Sequence, residues 1–376
     1  MQRSIVMNKK NALLIMAATG NYLFSVGNVL IGLKKHSPNM FDDIVIYTDE
    51  TATEQDKETI QKIFPVTFKI YDFQIKNLKD RERLKYFSNM PYVRFEMLTY
   101  LDSYKKVFWF DSDFLITDDI SGLLQYGNTG ISMSIDLDPY PEGHGVHMFF
   151  IKNVPGYDMM AKAYASGLVI FSDKLKEPLK LRKYLYEKLD LYSGYIKYAE
   201  QGILQLMIED FSLQVEEFPK LIYHAFPFED KSKAKLIHLL DRTKPWQYYS
   251  GTAYDEWYEN HKQWITLGGG EAFTFEGLLK QYQKYFYGQK RYQNILHMAY
   301  FDDCIRNILS SPNKASICDN ETIIKDIGNY TKNKIRYWRY RLLSKITFGK
   351  KRKKYNQKRK ELKARLKQVR AFLKGK

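Results

Sequence analysis

Short apolar runs alternate with longer helical patterns through residues 12–110, and this alternation constrains the fold more than any other feature. The strand-like runs are "ALLIMA" (12–17), "DIVIYT" (43–48), "VTFKI" (66–70) and "VFWF" (107–110). The helical patterns "SVGNVLIGLKKH", "EQDKETIQKIF" and "VRFEMLTYLDS" separate them. This βαβ order predicts an α/β fold with a mostly parallel, doubly wound sheet flanked by helices. In such sheets ligands bind beyond the carboxyl ends of the strands.

Later segments extend the pattern and then depart from it. We predict further strands at 130–135, 167–171 and 235–240, with helices at about 173–190 and 198–209. An aromatic-rich section and a basic tail follow. The chain is therefore divided into an α/β domain over 1–250, a helical extension over 251–330 and an amphipathic tail over 331–376.

The N-terminal run and the cysteines bear on the compartment. "ALLIMAA" (12–18) follows Lys9 and Lys10 as an export signal would, but it is short and leads into "TGNY", so we interpret it as the first strand. No stretch approaches the ~20 apolar residues that a spanning helix needs. Cys304 and Cys318 are too few for a disulfide framework and lack metal-site spacing, which favours a reducing compartment.

The positive charge of the chain is confined to its tail. Residues 331–376 hold 20 Lys and Arg against the single acid Glu361. The first 330 residues hold 39 basic and 42 acidic residues, a net charge of −3, although the whole chain carries +16. Whatever the charge attracts is thus a property of the tail and not of the folded body.

Three sequence features offer chemistry near the predicted strand ends. Asp111 and Asp113 follow the "VFWF" strand, where two carboxylates separated by one residue can point into one cleft and bind Mg²⁺ or Mn²⁺. An acidic turn would explain them equally well. In "HLLDRTKPW", His238 can complete a metal site and Lys244 can meet a phosphate, although a lone His after a strand is often structural. Arg94 lies on a predicted helix.

Together these features resemble one family. In chain order, "AATGNY", "YVRFEML", "VFWFDSDFLI", "SMSIDLD", "YASGLVIF", "AEQGIL" and "HLLDRTKPW" resemble seven motifs of the retaining glycosyltransferases of family 8. This family includes glycogenin and the bacterial lipopolysaccharide and lipooligosaccharide galactosyl- and glucosyltransferases. The resemblance covers about 11–246 and implies a GT-A, Rossmann-like fold with a nucleotide-sugar-binding catalytic domain.

The resemblance implies a role for each matched residue. Asp111, Asp113 and His238 would bind Mn²⁺ or Mg²⁺ with two oxygens of a UDP diphosphate. Residues expected to bind the UDP-sugar donor are Ala17, Thr19, Asn21, Tyr22, Arg94, Asp111, Ser112, Asp113 and Lys244. The Tyr22 ring would stack on uracil, and Arg94 and Lys244 would face the diphosphate or the sugar. Asp136, Glu200 and Gln201 would surround the transferred sugar as catalytic residues.

The implied reaction breaks the bond between the anomeric carbon and UDP. Negative charge grows on the leaving phosphate, where a divalent cation, Lys and Arg stabilise it by several kcal/mol. Retention of configuration arises either from a double displacement or from same-face attack within an ion pair. Because no Asp or Glu is readily assigned as a nucleophile, the sequence favours the same-face route.

Five positions depart from the family pattern. Thr19 and Gly20 replace carboxylates that often touch the uridine, and Ala165 replaces an Asn that often contacts the sugar. Gly202 replaces the second acid of the motif around Gln201, and Asp241 occupies a position that is usually Gly beside the diphosphate. These changes leave two alternatives, a pocket reshaped for another sugar or a weakened enzyme.

The tail suggests a location and a second function class. "YWRYRLLSKITF" (337–348) mixes aromatic and basic residues, and a predicted helix follows with Leu362, Leu366, Val369 and Leu373 on one face. Such segments suit an anionic membrane surface. A solvated tail and a nucleic-acid grip are the alternatives. We expect a bacterial enzyme at the inner face of the cell membrane that glycosylates a lipid-linked or surface glycan. There are two alternative functions. One is a decayed transferase that acts as a membrane or nucleic-acid binding module, and the other is a nucleotidyltransferase.

Overall fold

The computed structural model describes residues 8–72, 88–136, 145–227, 229–239, 244–246, 255–270 and 272, with 356–358, 360–361 and 363 of the tail. The chain divides into two compact units, Met1–Asp241 with Asp255–Ala272, and Arg242–Tyr254 with Phe273–Lys376. Asp241, both cysteines, most of the predicted 251–330 extension and most of the tail lie outside the described residues. The described tail residues are helical.

The strands of the first unit form a mixed, mostly parallel sheet. Their order is β3-β2-β1-β4-β7-β6-β8, and a second sheet pairs β5 with β9. The strands are β1 (Lys10–Ala17), β2 (Asp43–Thr48), β3 (Thr67–Ile70), β4 (Tyr104–Phe110), β5 (Phe114–Ile116), β6 (Ile131–Ile135), β7 (Tyr164–Ser172), β8 (Val215–Glu217) and β9 (Leu236–His238). In the main sheet β7 runs antiparallel to β4 and β6, and the other pairs are parallel. The expected fold class is confirmed.

Continuous burial explains why the central strands read as unbroken apolar runs. Leu13, Leu14, Ile15 and Met16 are fully buried on both faces of β1, as expected for a sheet with helices on both sides. Leu13 pairs with Val107 and Ile15 with Trp109 across β1 and β4. This register places the carboxyl ends of the two strands side by side.

Between residues 8 and 272, the described part of the chain also forms six α-helices and four 3-10 helices. The α-helices are α1 (Leu23–His36), α2 (Glu54–Ile63), α3 (Pro178–Tyr192), α4 (Gln201–Asp210), α5 (Lys220–Tyr223) and α6 (Asp255–Thr266), and the 3-10 helices are Gly20–Tyr22, Met90–Tyr100, Ser121–Gln125 and Val146–Phe149. The predicted helix at about 173 begins instead at Pro178, because proline fits the first turn, where its missing N–H is not needed. Helix α6 packs on α1, with Asn28 Nδ2 3.3 Å from His261 Nδ1. Among the described residues, no helix has the length and hydropathy to cross a membrane.

Two features of the topology assemble the site. Because β7 is antiparallel to β4, with Phe110 opposite Leu168, its first residues lie at the carboxyl end of β4. The small sheet pairs Phe114, directly after the two aspartates, with His238. Segments distant in sequence therefore meet beyond the end of β4.

Candidate active site

The turn that carries Asp111 and Asp113 is fixed by backbone hydrogen bonds. The Asp111 N–H donates to the Gly167 carbonyl at 2.9 Å, and the Leu239 N–H donates to the Asp113 carbonyl at 2.8 Å. The first bond joins the turn to β7, and the second joins it to the residue after His238. The backbone of this turn is therefore held by hydrogen bonds to two other segments, unlike the solvated acidic turn that the sequence left as an alternative.

The three predicted metal ligands lie together. One side-chain ligand atom from each of Asp111, Asp113 and His238 lies within 4.8 Å of the others. His238 Nε2 is 3.1 Å from Asp113 Oδ1 and 3.5 Å from Asp111 Oδ2. Adjacent ligands around an octahedral ion with ligand distances of about 2.1 Å are about 3 Å apart. Two carboxylates and one imidazole at this spacing therefore fit Mn²⁺ or Mg²⁺.

Arg94 and Trp109 orient Asp111. Arg94 Nη2 and Trp109 Nε1 both donate to Asp111 Oδ1, the latter at 2.7 Å. The guanidinium carbon lies 4.5 Å from the centre of the Trp109 ring. Because Oδ1 is occupied by these donors, Oδ2 is the oxygen left to face His238 and a metal ion.

The remaining Arg94 donors are directed into the protein. Nε donates to the Ser166 carbonyl at 2.9 Å, and Nη1 lies 2.6 Å from Glu200 Oε1. Arg94 is 4% exposed and Glu200 is 2% exposed. Arg94 is thus buried between the carboxylates of Asp111 and Glu200. Its expected contact with the diphosphate or donor sugar stays a prediction.

Burial shifts both carboxylates that Arg94 contacts. Burial raises the pKa of Glu200 to about 7, with Arg94 opposing the shift and Asp111 adding to it. Burial also raises the pKa of Asp111, where Arg94 and His238 oppose the shift and Asp113 adds to it. The cluster therefore holds more negative charge than one guanidinium neutralises, which is a reason for it to attract a cation.

The shifted pKa of Glu200 predicts a stability change with pH. The value of about 7 in the folded protein exceeds the ordinary value of 4.5, so between these pH values the folded chain keeps a proton that the unfolded chain releases. The contribution of Glu200 to stability is greatest below about pH 4.5 and is lost as the pH rises through 7, a change of up to about 3 kcal/mol. In Glu200→Gln this loss is absent. Urea unfolding in EDTA at pH 5, 6, 7 and 8 measures it, and parallel pH curves for the two proteins contradict it.

Asp136 and Gln201 meet at the start of β7. Gln201 Nε2 donates to Asp136 Oδ2 at 3.0 Å and to the Tyr164 carbonyl at 3.1 Å. The Asp136 N–H donates to the Ala163 carbonyl at 3.0 Å. The amide nitrogen of Gln201 is thus engaged, and its oxygen is the group that remains to meet a substrate. The structure brings Gln201 and Asp136 together, whereas Glu200 turns to Arg94.

The predicted nucleotide residues follow β1 at the same sheet edge. Thr19 Oγ1 donates to Asn21 Oδ1 at 2.8 Å, and Tyr22 is 39% exposed, so its ring is accessible for stacking. Ala17 ends the strand and is buried, and Ser112 is partly buried between the two aspartates.

Steric constraints explain two departures from the family pattern. A Cβ on Gly20 would collide with the backbone of Thr51 and Ala52, and the Gly20 N–H instead donates to Asp49 Oδ1 at 2.9 Å. A Cβ on Gly202 would lie 2.7 Å from the Phe150 ring. Neither position has room for a carboxylate unless its neighbours move. Asp49 was missed by sequence reasoning, although it follows β2 as Asp111 follows β4.

Two other residues of "HLLDRTKPW" do not belong to the described residues of the first compact unit. Lys244 belongs to the second compact unit, where its ammonium lies 5.5 Å from the centre of the Trp246 ring. Its expected contact with the diphosphate stays a prediction. Asp241 lies outside the described residues.

One buried residue beside the metal ligands was not singled out from sequence. His224 Nε2 lies 2.8 Å from His238 Nδ1, and His224 Nδ1 lies 2.6 Å from Ser134 Oγ. Burial, with His238 nearby, lowers the pKa of His224 well below its ordinary value, so the imidazole is neutral. No spacing rule marks His224, because its partner His238 lies on a different element.

Comparison with known proteins assigns the family. The model of glycosyl transferase family 8 matches residues 13–250, which include the two aspartates and His238. The chain belongs to glycosyltransferase family 8. Membership confirms the expected enzyme class, and the sheet order agrees with the expected GT-A fold.

Several solved glycosyltransferases align in structure with this chain at low sequence identity. One is apo WbbM, a bifunctional enzyme that is 17% identical, with 75% of this chain and 53% of WbbM covered and a TM-score of 0.49. Another is the galactosyltransferase LgtC with donor and acceptor sugar analogues, which is 16% identical, with 72% of this chain and 99% of LgtC covered and a TM-score of 0.48. A third is GlyE of Streptococcus pneumoniae TIGR4, which is 14% identical, with 74% of this chain and 64% of GlyE covered and a TM-score of 0.47. The chain thus spans about half the length of WbbM. No curated protein sequence matches this family 8 chain.

Proposed function

We propose that this family 8 enzyme transfers a hexose, galactose or glucose, from a UDP-sugar to a lipid-linked or cell-surface glycan with retention of configuration. The observation that carries the proposal is the convergence of Asp111, Asp113 and His238 within 4.8 Å beyond the end of β4. These residues would hold Mn²⁺ or Mg²⁺. Such an ion supplies positive charge where the diphosphate leaves.

The residues around the ligands prepare the site before substrate arrives. Arg94 and Trp109 hold Asp111 Oδ1, so this carboxylate needs no reorganisation to present its other oxygen. The Gln201 amide is positioned by Asp136 and the Tyr164 carbonyl. Its oxygen is suited to stabilise positive charge that develops on the sugar ring.

The surroundings of Glu200 favour same-face attack. A double displacement needs a carboxylate that reaches the anomeric carbon, but Glu200 is buried and paired with Arg94 at 2.6 Å. Its raised pKa of about 7 also makes it a partly protonated nucleophile at neutral pH. We therefore assign Glu200 to the support of Arg94. We propose that the acceptor oxygen bonds to the anomeric carbon on the face from which UDP leaves, as the bond to UDP breaks and the hydroxyl proton passes to the departing phosphate.

A screen of UDP-sugars for hydrolysis, with Mn²⁺, Mg²⁺ or EDTA, tests the proposal. We expect one UDP-hexose to release UDP with either cation and none to do so in EDTA. UDP release at full rate in EDTA would contradict the metal requirement. Binding of UDP without turnover of any sugar would instead favour the decayed, non-catalytic alternative that the departures at Thr19, Gly20 and Gly202 allow.

The basic tail motivates a proposal for location. The 20 Lys and Arg of residues 331–376 would hold the enzyme at the inner, anionic face of a bacterial cell membrane, near a lipid-linked acceptor. Nucleic acid is the less favoured partner, because the aromatic residues among the basic ones suit a lipid interface.

Removing tail charges should weaken membrane binding. At about 1 kcal/mol for each basic residue, neutralising Lys351, Lys353 and Lys354 to Gln should lower affinity for anionic vesicles roughly 10²-fold. Vesicle co-sedimentation measures this, with the exposed body residues Lys180, Lys183 and Lys262 changed to Gln as the matched control. Equal losses for the two triple variants, or equal binding to neutral vesicles, would retire the membrane proposal.

A further inference from the structure

A line of buried polar groups runs from the metal-ligand cluster into the protein. His238 Nε2 faces Asp113 Oδ1 at 3.1 Å, and His238 Nδ1 faces His224 Nε2 at 2.8 Å. His224 Nδ1 in turn faces Ser134 Oγ at 2.6 Å. His224 and Ser134 are both fully buried. Each ring nitrogen along the line therefore faces a polar partner.

The packing around the two imidazoles fixes their position. The Phe114 ring stacks on His238 with ring centres 4.5 Å apart and lies 5.3 Å from His224. On β7, a Cβ at Gly167 would lie 2.5 Å from the His238 ring and 3.0 Å from His224 Nε2. The pair is thus held in a slot whose width requires glycine at 167. The slot keeps both rings from turning.

The chemistry of imidazole gives the line a direction when a metal binds. A metal-ligating nitrogen carries no proton, so a neutral His238 bound through Nε2 must carry its proton on Nδ1. That proton is donated to His224 Nε2, which leaves the His224 proton on Nδ1, where it is donated to Ser134 Oγ. A serine hydroxyl can also donate, so the line is satisfied in the opposite direction when Nε2–H of His238 faces Asp113 instead.

We propose that His224 is a positioning residue that sets the proton location and ring orientation of His238 and so tunes divalent-cation affinity. The inference rests on the metal site of the proposed function. His224 touches neither substrate nor metal and acts only through His238. Partners of this kind typically change metal affinity by 10–100-fold when they are removed.

A near-isosteric pair of variants separates this role from packing. His224→Gln places an amide oxygen near the position of Nε2 and keeps an acceptor for His238 Nδ1–H, whereas His224→Met has a similar shape and no such acceptor. Mn²⁺ binding to the full-length protein without nucleotide is followed by the electron paramagnetic resonance signal of the free ion. We expect a 10–100-fold higher Kd for His224→Met and a change within about threefold for His224→Gln.

The outcomes separate this inference from the proposed function. Wild-type affinity in His224→Met, or equal losses in both variants with unchanged metal-free thermal unfolding, overturns the inference alone. A wild-type protein that does not bind Mn²⁺ overturns the metal site and the inference with it.

A measurement on the wild type decides the matter if the variants do not fold. With Mg²⁺ bound, ¹⁵N spectra should show both histidines protonated on Nδ1 and a coupling across the hydrogen bond from His238 Nδ1 to His224 Nε2. With His238 protonated on Nδ1, absence of that coupling overturns the inference alone, whereas a His238 protonated on Nε2 in the Mg²⁺ complex overturns its assignment as a metal ligand and the inference with it.

Discussion

Asp113→Asn is expected to lose at least 10²–10³-fold in metal-dependent UDP release while keeping its fold. The amide preserves the shape of the side chain but removes the charge from a group 3.1 Å from His238 Nε2. Charge stabilisation of the departing diphosphate by a bound cation is worth several kcal/mol, which corresponds to this range. Initial rates at saturating UDP-sugar, with Mn²⁺ titrated, provide the measurement.

Asp118→Asn is the matched control for this change. Asp118 lies five residues along the chain and has a side chain 64% exposed, at 3.6 Å from Lys235. Exposed ion pairs of this kind contribute little, so Asp118→Asn should behave as wild type. An Asp113→Asn enzyme that keeps full activity at low Mn²⁺ would remove Asp113 from the site, whatever the control does.

Arg94→Met is expected to give the largest loss of stability. It leaves Glu200 and Asp111 without the guanidinium that contacts both. Removing one partner of a buried ion pair typically costs about 3–5 kcal/mol. Because Glu200 is largely protonated below its pKa of about 7, the loss should be greater at pH 8 than at pH 5. Urea unfolding in EDTA at both pH values measures it.

A double-mutant cycle shows whether Glu200 is the cause. Glu200→Gln removes the charge that Arg94 neutralises, so the double variant Arg94→Met/Glu200→Gln should be more stable than the sum of the single changes predicts, by about 1–3 kcal/mol. Arg182→Met is the control, because Arg182 pairs with Glu96 on a more exposed surface, with 36% of its side chain accessible. A loss for Arg182→Met equal to that for Arg94→Met would show that burial of the pair is not what matters.

The sequence predicted seven of the nine described strands, missing β5 and β8, and marked the candidate metal ligands Asp111 and Asp113, because these signals are local. Apolar runs bounded by turns marked β1, β2, β4 and β7, and each was found within a few residues of its predicted bounds. Asp111 and Asp113 were marked by their position after a buried strand. His238 was marked as a candidate ligand by its position after an apolar run and then by the order of family motifs, but its pairing with Phe114 is not visible in either segment alone.

The features that sequence did not predict depend on contacts between distant segments. The sequence pattern of residues 90–100 predicts an α-helix, but the structure forms a 3-10 helix there, which is more tightly wound. The Arg94 partners lie on the turn after β4, on β7 and before α4, so nothing near Arg94 reveals that it is buried. His224 and Asp49 were missed for the same reason, because each acts on a residue from another element.

The pairing of β5 with β9 has a consequence for biosynthesis. His238 and Asp113 are 125 residues apart in the chain, and closing a loop of that length costs roughly 4 kcal/mol in chain entropy. A ribosome that has synthesised Asp111 and Asp113 must still synthesise more than a hundred further residues before His238 can approach them. The nascent enzyme therefore passes through a stage in which most of its central sheet has been synthesised while the cluster of Asp111, Asp113 and His238 still lacks its histidine.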